Sequence, residues 1–346
     1  MASIQILFLA DTHLGFDLPV YPRIQRRRRG DDFFANYHLL LNLAREKKID
    51  LIVHGGDVFF RSRVPPAIVD RALEPLLEVA ETGIPIYLVP GNHERSKLPA
   101  HLWWSHPNIH IFDQPKTYLK EVDGVSIALS GFPFARKVKD RFQSLLHQTG
   151  YQDAQADVHY LCLHQTFEGA KVGPSDFTFR NSPDNIPPEE VPQRFTAVLS
   201  GHIHRAQQLT TSLDGQQPSV PVIYPGSIER TAFAERFEEK FYVLIKLVPG
   251  KEGLNQAIEF HQLPTRPMVK IEISTQDQTL AQLQALVRAQ LSELDADAIA
   301  RLHLTGPQAE QLQGSFTAAN LRAMAPASMN VSLGNGRRYS NPRTRS

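Results

Sequence analysis

The chain has 346 residues, 42% apolar and 21% charged, a composition that suits a soluble globular protein with a sizeable core and excludes disorder as the default. Its net charge of +1 carries no global basic signature, so a polyanion would have to be met by a local patch or by bound metal. The single cysteine, Cys162, excludes an intrachain disulfide framework and a cysteine-based zinc site, and its setting VHYLCLH reads as a small buried hydrophobe.

Residues 4–10, IQILFLA, form an apolar run with the length and composition of a central strand, ending at Asp11-Thr12-His13. The run lacks a basic flank and is too short for a signal peptide or a membrane span. No other apolar segment reaches ~18 residues, so the expectation is a cytoplasmic protein with no membrane partner. A Gly/Pro-containing segment carrying Arg26, Arg27, Arg28 and Arg29 follows. Residues 32–48 have helical spacing, with Phe34, Tyr37, Leu41 and Ala44 on one side. Residues 50–54 are a second strand, ending in Gly55-Gly56-Asp57. Residues 66–82 read as the next helix, with Pro75 a place for a kink or a new turn. Residues 84–89 are a third strand, ending in Pro90-Gly91-Asn92-His93-Glu94. This alternation implies a parallel α/β core.

Residues 116–130 read as two shorter strands around the turn Asp123-Gly124, and 158–163 as a strand ending in His164. Residues 170–194 hold several Pro, Gly and Asp without periodicity and read as a long functional loop. Strands over 195–200 and 220–224 follow, the first ending in Gly201-His202-Ile203-His204. Residues 241–248 and a segment around 257–262 pair as antiparallel edge strands across a Pro249-Gly250 turn.

The character changes at Pro264-Thr265-Arg266-Pro267. Beyond it Val269, Ile271 and Ile273 alternate with polar residues, while Leu280, Leu283, Leu286, Val287, Leu291 and Leu294 recur at helical spacing. Leu302 and Leu304 alternate again, residues 307–324 are weakly helical, and Met329, Val331 and Leu333 alternate once more. The expected organisation is a main domain over 1–265, a small β-α-β-α-β module over 266–334, and a disordered Arg-rich tail over 335–346.

The polar residues decide the chemistry. Asp11, His13, Asp57, Asn92, His93, His164, His202 and His204 each lie within a few residues of the end of a predicted strand. In an open α/β sheet those ends gather along one edge, where ligands bind. Singly, each has an ordinary explanation: an aspartate can cap a following helix, Asn92 can be a turn residue, and a histidine can be a hydrogen-bonded core residue. A coincidence at five strand ends is a poorer account than convergence. The set offers oxygen and imidazole donors without sulfur, which suits Mn, Fe, Zn or Mg.

Asp11-x-His13, Gly56-Asp57, Gly91-Asn92-His93-Glu94, His164 and Gly201-His202-Ile203-His204 resemble, in order, the five motifs of the calcineurin-like metallophosphoesterases. LADTHLG at 9–15, HGGDVFFRSRVPP at 54–66, LHQTFEG at 163–169 and YPGSIERTAFAE at 224–235 further resemble the SbcD-type, or Mre-type, DNA repair exonucleases. The resemblance implies a four-layer α/β/β/α sandwich with a small α+β C-terminal cap domain. It also implies a site for two divalent ions, with Mn²⁺ the expected pair. Asp11, His13, Asp57 and His204 would hold one ion. Asp57, Asn92, His164 and His202 would hold the other, with Asp57 bridging. The implied reaction is in-line attack on phosphorus by water that the ions, ~3.5–4 Å apart, activate. His93 would stabilise the transition state or protonate the leaving alkoxide.

Phosphoesterase chemistry does not choose the substrate. GGDVFFRS at the second motif argues against the protein phosphatases, which read GDxVDRG there, and leaves small-molecule or cyclic-nucleotide phosphodiesterases as the alternative to a nuclease. For DNA, Arg26–Arg29 lie in the loop after the first motif, and Arg61, Arg63, Arg136, Lys137 and Lys139 fall in other such loops; the other account is a solvated basic surface. Trp103 and Trp104 could stack on bases or pack in the core. The family also implies an SbcC-type ABC ATPase partner, docked through a helical segment after the cap, and a homodimer. The Arg- and Gly-rich residues here after the cap do not read as that helix. Phe33, Tyr37 or the Trp103 region would supply the dimer surface.

Overall fold

The computed structural model describes residues 3–18, 27–46, 49–94, 106–213, 215, 217–250 and 253–334. Residues 27–29 and 266–334 form one compact unit, and the described residues of 3–18 and 30–265 form the other. The larger unit is built on two six-stranded sheets. The first has the order Gly253–Leu263, Lys240–Gly250, Ile4–Leu9, Leu51–His54, Ile86–Leu88, Ile109–Ile111, and its last four strands are parallel. The second has the order Gln207–Leu209, Val222–Tyr224, Ala197–Ser200, Val158–Leu163, Val125–Gly131, Lys116–Val122, with its four central strands parallel.

The near-continuous apolar runs follow from burial on both faces. Along the first strand Ile4, Ile6 and Phe8 point between the sheets, while Leu7 and Leu9 point to the helix side. Likewise Val158, Tyr160 and Cys162 face the other sheet, and Leu161 and Leu163 face outward. Burial pushes the Cys162 thiol well above its usual range, so it stays an inert filler. Helices Arg29–Glu46 and Pro66–Glu81 cover the first sheet, and helix Phe142–Gln148 with neighbouring loops covers the second. The result is the expected α/β/β/α sandwich.

Several expectations change in detail. Helix Pro66–Glu81 runs through Pro75, whose buried ring costs it one amide bond and does not end it. The antiparallel pairing reaches Gly250 opposite Gly253, so Pro249 and Gly250 belong to the strand and not to a turn. The loop 170–194 contains two short ladders: Phe177–Thr178 with Lys171–Val172, and Asn185–Ile186 with Thr166–Phe167. Strands Ile109–Ile111 and Gln207–Leu209 and helix Phe142–Gln148 were not expected; each is seven residues or fewer, too short to display a period. Phe33 and Tyr37 are fully buried under the first helix, so neither offers a dimer surface. Trp103, Trp104, Lys47, Lys48 and the tail from residue 335 lie outside the described residues.

In the smaller unit, strands Met268–Ser274, Ile299–Thr305 and Asn330–Leu333 are parallel. Helix Leu280–Ser292 begins at a Thr279–Gln282 capping box and buries Leu283, Val287 and Leu291; Leu280 and Leu286 stay exposed, so its apolar stripe is narrower than the spacing suggested. Residues 307–324 divide into helices Ala309–Gln313 and Ala318–Ala323. Buried Arg266 donates to the carbonyls of Asp297 and Ser328 and to Asn330 Oδ1, fastening the first strand to the last.

Candidate metal centre

The loops that leave the parallel strands are zipped to one another. The amides of Asp11, His13 and Leu14 donate to the carbonyls of Gly56, Asp57 and Val58 at 2.8, 3.0 and 2.8 Å. This geometry puts Asp11, His13, Asp57 and His202 at positive φ, from 43° to 84°, where non-glycine residues are uncommon. Four such residues where the strand ends of the two sheets meet mark a functional site, because each strained backbone must be held by its surroundings. Glycines admit the close approach. A Cβ on Gly91 would lie 2.2 Å from Asp57 Oδ1, and one on Gly201 would lie 2.2 Å from the Gly55 carbonyl oxygen where the two sheets meet.

All eight polar residues singled out at strand ends converge here. His13 Nε2 and His204 Nε2 are 3.0 Å apart, with Asp11 Oδ1 3.9 Å from His13 Nε2. Asn92 Oδ1 lies 3.0 Å from His164 Nε2 and 2.9 Å from His202 Nδ1. Asp57 Oδ2 lies 3.4 Å from His164 Nε2 and 3.8 Å from His93 Nε2. Candidate donors fall into the overlapping groups Asp11–His13–His204, His13–Asp57–His93 and Asp11–Asp57–His164. Asp11, His13 and Asp57 each belong to two of them.

The electrostatics are those of a site built for cations. Burial raises the Asp11 carboxyl to about 6, against the pull of His164 and His204. Burial also works to raise Asp57, but the His164 ring beside it outweighs this and holds the carboxyl well below its usual range. Burial holds His13 well below its usual value and His202 at about 3, so both keep free lone pairs at neutral pH. Several imidazoles and two carboxylates buried at van der Waals distances make poor mutual partners. They fit a group of divalent ions, with no sulfur and mostly nitrogen and oxygen donors.

Three of the remaining ring nitrogens are held from behind, while His13 Nδ1 is buried without a hydrogen-bond partner. His164 Nδ1 donates to the Gly55 carbonyl at 2.7 Å, and His93 Nδ1 to the Phe60 carbonyl at 2.6 Å. His204 Nδ1 faces Glu235 Oε1 at 3.4 Å and Thr231 Oγ1 at 3.1 Å. Glu235 is in turn held by buried Lys240 at 2.6 Å. Such partners fix the tautomer and aim the other nitrogen into the site. Glu94, pushed up to about 8 by burial, accepts the amides of Phe59 and Gly91 and pins the Asn92 turn to the second motif. Sequence reasoning assigned no role to Glu94, Thr231, Glu235 or Lys240. Glu94, Thr231 and Glu235 stood inside quoted motifs, but only the packing around them shows what they touch.

The basic residues behave differently from one another. Arg27 falls in the smaller unit, paired with Asp297 at 2.7 Å, with its carbonyl accepting from Asn330. Arg28 and Arg29 are half-buried, and Arg26 lies outside the described residues. Arg61 and Arg63 are exposed, and the Arg61 guanidinium stands over the Phe60 ring, which itself packs against His13 and His93. Lys139 is engaged by Glu168 and Asn181, while Arg136 and Lys137 are exposed.

The model of the calcineurin-like phosphoesterase family matches residues 4–206. Among curated proteins, the DNA double-strand break repair protein Mre11 of Methanopyrus kandleri is 26% identical over 250 residues, covering 67% of this chain and 50% of that protein. The Mre11 protein of Archaeoglobus fulgidus is 23% identical over 84% of this chain and 66% of its own length. That of Methanosarcina mazei is 27% identical over 90% of this chain and 47% of its own. The chain thus spans about half to two thirds of the length of these relatives. No described helix is long and apolar enough to cross a membrane.

Proposed function

The chain belongs to the calcineurin-like phosphoesterase family, and from that premise we propose that it is a metal-dependent DNA phosphodiesterase, an exonuclease with single-strand endonuclease capacity. The observation that carries the chemistry is the convergence of seven nitrogen and oxygen donors, with His93 beside them, where strand ends of the two sheets meet. The similarity to Mre11 proteins supports DNA as the substrate. Asp11, His13 and His204 would hold one divalent ion and Asn92, His164 and His202 the other, with Asp57 shared and Mn²⁺ the favoured metal. Bound there, such ions supply positive charge at the phosphate oxygens and a water of lowered pKa.

The chain's own residues do the rest. The amide of His93 donates to Asp57 Oδ1 at 2.9 Å and helps hold the shared carboxylate in place. With His93 Nδ1–H engaged by Phe60, Nε2 carries a proton only in the charged ring, the form that can protonate a leaving alkoxide or stabilise charge on phosphorus. His93 is a third exposed, so it meets substrate directly. The smaller unit would act as a cap over the DNA, and an SbcC-type ATPase and a second copy would be its partners. Metal-loaded protein should degrade single- and double-stranded DNA when assayed beside small phosphodiesters. Hydrolysis of the small diesters with DNA left intact would refute the DNA assignment and leave a small-molecule phosphodiesterase.

A further inference from the structure

Strand Leu51–His54 ends in a buried histidine that stands outside the ligand set. Alternation puts His54 on the same side as Ile52, which packs under the helices, where an aliphatic side chain would be ordinary. The ring instead makes two directed hydrogen bonds. Its Nδ1 faces the Gly56 amide at 3.2 Å, and its Nε2 faces Thr12 Oγ1 at 3.1 Å. The partners fix the roles. A backbone N–H can only donate, so Nδ1 keeps its lone pair and the proton sits on Nε2. Thr12 Oγ1 accepts from that N–H and donates its own hydrogen to the Val58 carbonyl at 3.0 Å. Burial lowers the His54 ring to about 3, so it is neutral at pH 7 and keeps this one tautomer.

The amide that His54 holds is one end of the peptide that joins Gly55 to Gly56. The other end, the Gly55 carbonyl, accepts His164 Nδ1–H at 2.7 Å. A planar peptide turns as one piece, so whatever fixes the N–H also aims the carbonyl. Glycine on both sides leaves this peptide freer to rotate than any other pair would. Neither glycine is replaceable. A Cβ on Gly56 would lie 2.4 Å from His164 Nδ1 and 2.9 Å from the Val89 carbonyl oxygen, and one on Gly55 would lie 2.9 Å from the Gly201 amide nitrogen. Close packing thus demands both glycines and leaves the orientation of their peptide to its hydrogen bonds. Were the peptide turned over, an N–H would face His164 Nδ1 and drive that ring's proton to Nε2, the atom turned toward Asp57 and Asn92.

We propose that His54 is a positioning residue: through the Gly55-Gly56 peptide it holds His164 in the tautomer that presents a bare Nε2 to the centre, and through Thr12 it ties that peptide to the loop carrying Asp11 and His13. The proposal rests on the reading of His164 as a metal ligand. Loss of such a support costs roughly 10- to 100-fold in metal affinity.

The test uses the full chain, metal-free and then titrated with Mn²⁺. In the metal-free wild type, long-range 1H–15N correlation spectra should place the His54 proton on Nε2; a proton on Nδ1 overturns the proposal. Calorimetric titration of His54→Leu, which keeps the apolar packing and removes both hydrogen bonds, should show one of two Mn²⁺ ions weakened roughly 10- to 100-fold. His54→Asn puts an acceptor oxygen where Nδ1 was and should recover that ion to within a few-fold of wild type. Equal weakening of both ions, no recovery in His54→Asn, or unchanged affinity in His54→Leu overturns the positioning role alone and leaves His54 as packing. Should His54→Leu not fold, Thr12→Val takes its place, since it strips the His54 Nε2–H of its acceptor; a wild-type titration curve there overturns the proposal. A wild type that takes up fewer than two Mn²⁺ ions overturns the metal-centre reading and the proposal with it.

Discussion

Glu235→Ala tests whether His204 is aimed from behind. Glu235 Oε1 faces His204 Nδ1 at 3.4 Å and accepts Thr231 Oγ1 at 2.6 Å, while Oε2 pairs with Lys240 Nζ at 2.6 Å. Lys240 has no exposed side-chain surface, and its next carboxylate, Glu238, is 3.7 Å away. Removing one partner of a buried pair costs about 3–5 kcal/mol, and the contacts Lys240 keeps to Glu238 and the His204 carbonyl place this case near 3. Removing a carboxylate behind a metal-binding imidazole costs roughly 10- to 100-fold in metal affinity. Calorimetric titration with Mn²⁺ should show that loss in Glu235→Ala, and thermal unfolding in chelator should show the stability loss. Glu238→Ala serves as the control, since it perturbs Lys240 without touching His204: it should lower stability and leave metal affinity within a few-fold. Unchanged metal affinity in Glu235→Ala would refute the orienting role. The pH dependence has a definite sign. Although burial opposes it, His204 and Lys240 hold the Glu235 carboxyl well below its ordinary 4.5. Its contribution is therefore complete above about 4.5 and is lost as pH falls toward the depressed folded value. Metal-free Glu235→Gln should lack that part of the acid destabilisation.

His93→Asn should retain metal while losing roughly 10²- to 10⁴-fold in turnover, checked by metal content and kinetics together; loss of metal instead would make His93 a ligand. Asp57→Ala should lose both ions, whereas His202→Ala and His204→Ala should each weaken a different one, read by stoichiometry in titrations. Gly91→Ala places a methyl 2.2 Å from Asp57 Oδ1 and 2.5 Å from the Asp57 amide nitrogen, which cannot move aside as a flexible side-chain end would. It should cost about 1–3 kcal/mol and at least tenfold in metal affinity, and a wild-type titration curve would refute this.

The layers of the fold were legible where the chain is apolar on a long period. Runs such as IQILFL and VHYLCL announce strands buried on both faces, and the spacing of Phe34, Tyr37, Leu41 and Ala44 announces a helix face. Short pieces such as Gln207–Leu209 carry no period and were missed. The loop 170–194 showed only turn residues, because its two ladders are two residues long and its order comes from distant partners such as Arg205 and Lys139.

The sequence by itself singled out the candidate centre: eight polar residues at five strand ends, where the parallel strands of a sheet present their ligand-binding loops. It also determined that this centre lacks sulfur. The resemblance already implied how the donors divide; only the tertiary structure decided that strand ends of two separate sheets meet there and how the donors are supported. His202 and His204 are separated by one residue, yet His202 Nδ1 meets Asn92 and His164 while His204 Nε2 meets His13. His202 takes a positive φ of 84°, a backbone state invisible in an H-x-H string. The same holds for Glu235 and Lys240, acidic and basic residues whose burial, not their identity, turns them from surface charges into the support of a candidate ligand.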